Sequence, residues 1–404
     1  MILPCRIHRA SNRVDPLPLT FLLIGFLLAT QPSPMSAQTA ASTFEQPGVT
    51  RLPPIPIQIT AGIDAGYDDN ATLGSSNDGS LFSRENVVLT YNRPGERTQL
   101  FLVGVGLFTQ YLDVTGQNET SGNITLGFNH NFSSRLSFYA SLYGAYQNEP
   151  NFKSDVGPEN IRAAFFESDD ILSVTYRWLP RLALVTSYRF RRVKYDDQFI
   201  GSFQNRVEQT IGEELQFSLT SRTTLSGQYR FESIRYDTAA TDSTTHYLLS
   251  GIEHHLTEHL TVGLNGGESF RSLENAGSIA SPYFQSSVDY VSSNHSLSWL
   301  TSYSLETPNQ QDVSIRKTWR TGLNFTYRLT SRLLSTAAVF YHHDENQGRT
   351  SGPQDSLDIA LGLRYVVRRG LMLHVDYSHS SESSFESMPA YSRNTYSAGV
   401  SYTY

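Results

Sequence analysis

The sequence predicts an all-β chain, folded as a transmembrane antiparallel up-and-down β-barrel of about eighteen strands, with sixteen as the alternative count. Three observations carry that expectation. Segments with an apolar or aromatic residue at every second position recur from Ile57 to Tyr404. The connections between them alternate between short, stereotyped turns and longer polar loops. The composition fits as well: only 17% of the 404 residues are charged and 39% are hydrophobic, while Tyr (23) and Phe (22) are abundant. Such a mix suits a sheet with one apolar face and one wet, mostly uncharged face. A long-helix protein would be rich in Ala, Glu, Lys and Leu instead.

The first element reads as an export signal. Arg6, Arg9 and Arg13 precede an apolar run from Leu17 to Ala29, broken only by Pro18, Thr20 and Gly25, and small residues follow up to Ser36-Ala37. This is the layout of a cleaved signal peptide over residues 1–37. The run is too short to span a bilayer comfortably as a helix. The single cysteine, Cys5, precedes the run, so a processed chain carries no thiol and needs no disulfide. Residues 38–56, rich in Pro, Thr and Ser, read as a flexible periplasmic lead-in, and residues 57–404 as the barrel.

Alternation is clearest at the C-terminal end. Tyr396, Ala398, Val400, Tyr402 and Tyr404 are interleaved with Ser397, Gly399, Ser401 and Thr403. Side chains on a strand point to opposite faces with period two, so one face is greasy and the other small and polar. The pattern recurs, for example, in Leu225, Tyr229 and Phe231 against Ser226, Gln228 and Arg230, and in Leu371, Leu373 and Val375 against His374 and Asp376. Charges on the second face place that face in water, which excludes a sandwich buried on both sides.

The short turns resemble one another: Ser133-Ser134-Arg135, Pro180-Arg181, Thr220-Ser221-Arg222, Thr257-Glu258-His259 and Thr330-Ser331-Arg332. Each follows a bulky apolar residue and reads as a tight hairpin. The long connections are 68–80, 113–119, 149–168, 196–205, 237–245, 273–282, 307–314, 345–355 and 381–393. Segments near 57–67, 81–91, 98–112, 120–132, 136–148, 169–178, 182–195, 206–219, 224–236, 246–256, 260–272, 283–291, 296–306, 315–329, 333–344, 356–366, 371–380 and 394–404 make eighteen. An even number returns both ends of the barrel chain to the periplasm and puts every short turn there.

With its leader, the run Ile63-Asp64-Ala65-Gly66-Tyr67-Asp68-Asp69-Asn70, the Thr-Ser-Arg hairpins and the aromatic end Tyr402-Thr403-Tyr404, the chain resembles the outer-membrane β-barrel porins of Gram-negative bacteria. The resemblance covers nearly the whole processed chain and is architectural. It implies an outer-membrane location, and it implies that Tyr402 and Tyr404 serve the barrel-assembly machinery as an insertion signal. The usual terminal residue is Phe or Trp, so Tyr404 departs from it. Some relatives are associated with exopolysaccharide export.

Expected partners are therefore outer-membrane lipid and lipopolysaccharide outside, and small hydrophilic solutes or polysaccharide inside. Nucleic acid is not expected, because the net charge is −7 and no basic stripe is present. No catalytic motif, phosphate loop or dinucleotide fingerprint occurs, so no enzyme, cofactor or metal is expected. His254 and His255 point to opposite faces of one strand, and His342 and His343 do the same. The Asp68-Asp69-Asn70 run reads as a solvated loop rather than a calcium site. Parity nominates fourteen pore-lining candidates: Arg177, Arg189, Arg191, Glu208, Glu214, Arg230, Glu232, Arg271, Asp289, Arg320, Arg328, Asp358, Arg364 and Asp376. Their mixed signs favour mutual neutralisation over a field that sorts solutes by charge. Glu208 and Glu214 are expected to pair across strands with Arg189, Arg191 or Arg230. Loop 149–168 either folds inward and narrows the pore or stands in solvent.

Overall fold

The computed structural model describes residues 57–404 apart from 73–77, 115–117, 148–162, 239–241, 275–276, 308–312, 349–351 and 384–389. The expected signal peptide and lead-in lie outside the described residues, as do residues 149–162 of loop 149–168. The strands are β1 Ile57–Asp68, β2 Ser80–Arg93, β3 Thr98–Tyr111, β4 Glu119–Asn131, β5 Leu136–Gln147, β6 Phe165–Leu179, β7 Leu182–Tyr195, β8 Arg206–Ser218 and β9 Thr223–Tyr236. They continue as β10 Ser243–His255, β11 Leu260–Leu273, β12 Gly277–Val291, β13 His295–Glu306, β14 Val313–Arg328, β15 Leu333–Gly348, β16 Gly352–Arg368, β17 Leu371–Glu382 and β18 Tyr391–Thr403. One short helix, α1 Gln198–Gln204, interrupts the β7–β8 loop.

Each strand pairs antiparallel with its sequence neighbours, and β18 pairs with β1 from Thr60↔Thr403 to Asp68↔Thr395, closing an 18-stranded barrel. Beyond the Thr60↔Thr403 rung, Tyr404 and Ile59 exchange two backbone hydrogen bonds, at 2.8 and 3.3 Å. Closure leaves no edge strand unpaired, which is the condition for a sheet in hydrocarbon. Among the described residues no helix is long and apolar enough to cross a membrane.

The outer face is layered. Near the hairpin end it exposes Trp178, Phe217, Tyr327, Tyr365 and Tyr402; near the long-loop end, Tyr67, Phe108, Tyr146, Phe166 and Phe270. Between these two aromatic girdles stand aliphatic residues such as Ile124, Leu142, Leu172, Ile211, Leu361 and Val375, all exposed. An apolar band flanked by aromatic girdles is the outer surface of a membrane-spanning barrel.

Five of the hairpins share one lock. Thr330 donates its backbone N–H to the Leu333 carbonyl at 3.2 Å, while its hydroxyl accepts from the N–H groups of Arg332 and Leu333 at 3.2 and 3.0 Å. Ser133, Thr220, Thr257 and Ser292 make the same turn; Ser133 and Thr257 accept from both N–H groups, Thr220 from Arg222 and Ser292 from His295. A short hydroxyl side chain that bonds its own turn is why Ser and Thr recur there. Between β16 and β17 the job falls to Gly370, which adopts φ +81°; a Cβ there would stand 2.7 Å from the Thr403 carbonyl.

Several strands run further than alternation suggests. β6 begins at Phe165 rather than 169, β12 at Gly277 rather than 283, and β15 and β16 extend to Gly348 and from Gly352. The expected loops 149–168, 273–282 and 345–355 are correspondingly shorter. β16 has 17 residues, whereas about 9–11 cross the hydrocarbon. The upper ends therefore stand in water on both faces, and their apolar alternation fades.

Candidate functional site: the barrel interior

The register fixes which residues face inward. On β9 Gln228, Arg230 and Glu232 lie opposite Leu249, Tyr247 and Thr245 of β10 on the inner face, while Leu225 and Tyr229 are exposed outside. Following that face around the barrel places all fourteen candidates inside, on β6, β7, β8, β9, β11, β12, β14, β16 and β17. Tyr402 and Tyr404 face outward at the closing strand.

Among the described residues, eight of the fourteen charges are ion-paired, six of them with one another. Arg189 grips Asp169 through two 2.7 Å bonds, and Arg191 reaches Glu167 at 2.7 Å and Glu208 at 3.3 Å. Arg206 bonds Glu208 at 2.7 Å and the end of α1 through the carbonyl and side chain of Gln204. Further round, Glu306 accepts two bonds from Arg320 (2.7 and 2.6 Å) and one from Arg316 (3.0 Å), and Arg316 continues to Asp344 at 3.5 Å. Arg364 meets Asp376 at 3.2 Å and Thr336 at 3.1 Å, and Asp358 accepts from Ser380. Asp289 accepts from Ser298 at 2.8 Å. Across the closing seam His374 bonds Asp64, which also accepts from Asn86 at 3.0 Å.

Arg271 occupies a break in the ladder. β12 and β13 pair only from Phe284↔Tyr303 to Val291↔Ser296. Just above stands Pro282, which has no N–H to donate. The Arg271 guanidinium bonds the freed carbonyls of Glu306 and Leu305 at 2.8 and 3.3 Å, together with Glu232 at 3.3 Å and Thr245 at 2.9 Å. Here a charge repairs the wall.

The expected partnering of the two β8 carboxylates needs correction at Glu214. Glu208 pairs with Arg191, but Glu214 lies opposite Val185 and Gln228, and it accepts from Gln216 at 3.0 Å and Gln228 at 3.5 Å. Arg230 sits instead over the rings of Tyr247 and Tyr283, 5.6 and 5.3 Å from their centres, with its Nε on Gln228. Among the described residues Arg177 and Arg328, both exposed near the hairpin end, make no ion pair.

The Asp68-Asp69-Asn70 run is not a solvated loop. Asp68 is fully buried, capping the Asn70 N–H at 3.0 Å and accepting from Arg393 and from the Tyr111 hydroxyl. Asp69 holds Asn394 through its N–H and its amide at 2.6 and 2.7 Å. Both carboxylates stitch β1 to β18.

The inner wall also has an apolar sector. Val88 on β2 and Phe101, Val103, Val105 and Leu107 on β3 face inward in one patch. The Phe101 ring lies over Gly127, where a Cβ would come within 2.0 Å of it. Neither this sector nor Glu306, Arg316 and Asp344 stands out in the sequence, and inward parity is the signal that marks each.

No protein-family model matches the chain, and no curated protein sequence matches it. Among solved structures it is similar to the outer membrane protein OpdK of Pseudomonas aeruginosa, at 14% identity over 86% of this chain and 98% of that one, with a TM-score of 0.42. It is similar also to OccK5 (OpdH) of the same organism (13%, 86% and 97%, 0.44). The ferric enterobactin receptor PfeA, in a mutant form, gives 6%, 87% and 80%, with 0.44. At these values nothing about solute or transport passes from those proteins to this chain. Its own residues define a closed, membrane-spanning β-barrel with a polar, extensively ion-paired interior.

Proposed function

We propose that the protein is an outer-membrane channel through which small hydrophilic solutes pass passively, without chemistry. The observation that carries this is the closed ring of eighteen strands with a polar inner face. Eight strands are filled by their own side chains, whereas about 16–18 leave an aqueous passage. In this reading lipid and lipopolysaccharide surround the barrel, the assembly machinery inserts it, and the paired charges keep the lumen wet and the wall rigid while contributing little net field. Arg177 and Arg328 are the cations that a passing anion meets near the periplasmic mouth.

A second reading, a barrel closed by its own side chains, draws on the near-complete burial of Arg316, Thr318, Asp344, Gln354 and Asp358. An aqueous channel leaves some inner charges wet, and these are not. Reconstitution into a planar bilayer separates the two. The open channel gives stepwise conductance that scales with salt; a folded, inserted barrel that never conducts assigns the second reading.

A further inference from the structure

The outer face of β8–β10 departs from the rest of the hydrocarbon band. Glu213 on β8 points outward at mid-strand, and its Oε2 accepts from the Thr186 hydroxyl on β7 at 2.9 Å. Higher on the same face Tyr188 donates to Gln209 at 3.4 Å, and the Tyr229 hydroxyl bonds His246 at 2.8 Å. Beside Glu213 is a groove of about 580 Å³, floored by Gly227, Ser250 and Gly266 and walled by Leu215, Tyr229 and Leu248. On the opposite side of the barrel Val87, Leu361, Leu373 and Val375 are aliphatic, and the outward carboxylate Glu85 stands higher, on the rung of the girdle residue Phe108. An ionisable group inside a membrane is costly and marks a site. Among the described residues no side chain donates to Oε1 of Glu213, and hydrocarbon has no donor to offer. An acyl chain would fill the groove and leave that oxygen unserved.

The donor that matches is on the chain itself. β8 and β10 both descend toward the hairpin end, and Glu213 and Ser250 each lie five residues before the last residue of their strand, Ser218 and His255. They therefore stand at the same depth, on the two strands that flank Gly227 of β9. We propose that this face is a contact between two copies of the chain, related by a two-fold axis parallel to the barrel axis and passing beside Gly227. Under that operation β8 of one copy meets β10 of the other, so each Glu213 carboxylate faces the Ser250 hydroxyl of the second copy. The contact is isologous and closes at two copies. The glycines at 227 and 266 let the backbones approach, as small residues do between elements in lipid. The Leu215, Tyr229 and Leu248 ridges of one copy enter the groove of the other.

Cysteine cross-linking in outer membranes, in a Cys5→Ser background, tests this. A Cβ at Gly227, or at the outward-facing Gly104 on β3, meets nothing within 4 Å, so both positions accept a cysteine in the single barrel. Gly227→Cys is expected to oxidise to a species of twice the mass and Gly104→Cys to remain single. Glu213→Leu or Ser250→Ala is expected to lower the Gly227→Cys yield several-fold without altering heat-modifiable migration. The pair Glu213→Cys with Ser250→Cys supplies a second readout, again a species of twice the mass. Failure of both cysteine designs to cross-link in a folded barrel overturns the proposal. If phospholipid is also retained in native mass spectra and lost from Gly227→Trp, the groove is a lipid site. Cross-linking to a different polypeptide overturns the second copy as occupant.

Discussion

The inner wall of β6 to β16 and the apolar sector on the inner face of β3, with Val88 of β2, enclose the same space with opposite chemistry. The first is held by Arg–carboxylate pairs such as Arg320–Glu306 and Arg189–Asp169, with contacts of 2.6–2.7 Å. The second is Val88, Phe101, Val103, Val105 and Leu107. An apolar side chain accepts whatever apolar neighbour the register delivers. A guanidinium needs one carboxylate at one distance and angle, so the charged sector tolerates less change. Such pairs say little about net stability, because desolvation offsets their attraction, but breaking one strands the partner.

The largest expected effect follows at Glu306, whose carboxylate serves both Arg316 and Arg320. Glu306→Leu removes it from two nearly buried guanidinium groups and is expected to cost about 3–5 kcal/mol, read from urea unfolding in lipid vesicles. A cost below about 1 kcal/mol would mean that this sector is wet and flexible. Val105→Ala in the apolar sector is expected to cost about 1 kcal/mol in the same assay, since Val105 is buried but loses only two methyl groups and no partner. A penalty as large as that of Glu306→Leu would erase the distinction between the sectors.

How much of this was legible in the chain follows from the same physics. All eighteen strands show in the sequence, because the lipid face demands an apolar residue at every second position. The upper ends of β6, β12, β15 and β16 do not, because above the lipid both faces meet water and the signal disappears. Parity marks Arg271 or Asp376 as belonging to the polar face. It does not identify their partners, since Arg271 meets carbonyls two strands away and Glu214 meets glutamines, and both outcomes depend on register. Nor does the helix Gln198–Gln204 show in the sequence, although Asp197 accepts from the Ile200 N–H as an N-cap at 2.9 Å. Seven residues carry too little periodicity to stand out inside a polar loop.

Arg328 gives the smallest expected effect on stability and the most specific one on transport. It is exposed, and among the described residues it has no ion-pair partner, so Arg328→Glu is expected to change unfolding by less than about 0.5 kcal/mol. In an open channel it moves the reversal potential under a salt gradient toward cation preference. An unchanged reversal potential in a conducting barrel would remove the periplasmic mouth from the selectivity path.

The claim beneath all of this is that the polar face lines a water-filled path and the apolar face meets lipid. β6 tests it most directly, because Thr175 and Arg177 face inward while Val174 and Tyr176 are 40% and 41% exposed on the outside. Single cysteines at these four positions, in a Cys5→Ser background, are exposed in a planar bilayer to a charged, membrane-impermeant thiol reagent while current is recorded. The account predicts reaction and a fall in current at 175 and 177, and silence at 174 and 176. Equal reaction at all four, or current untouched by complete labelling at 175 and 177, would contradict it.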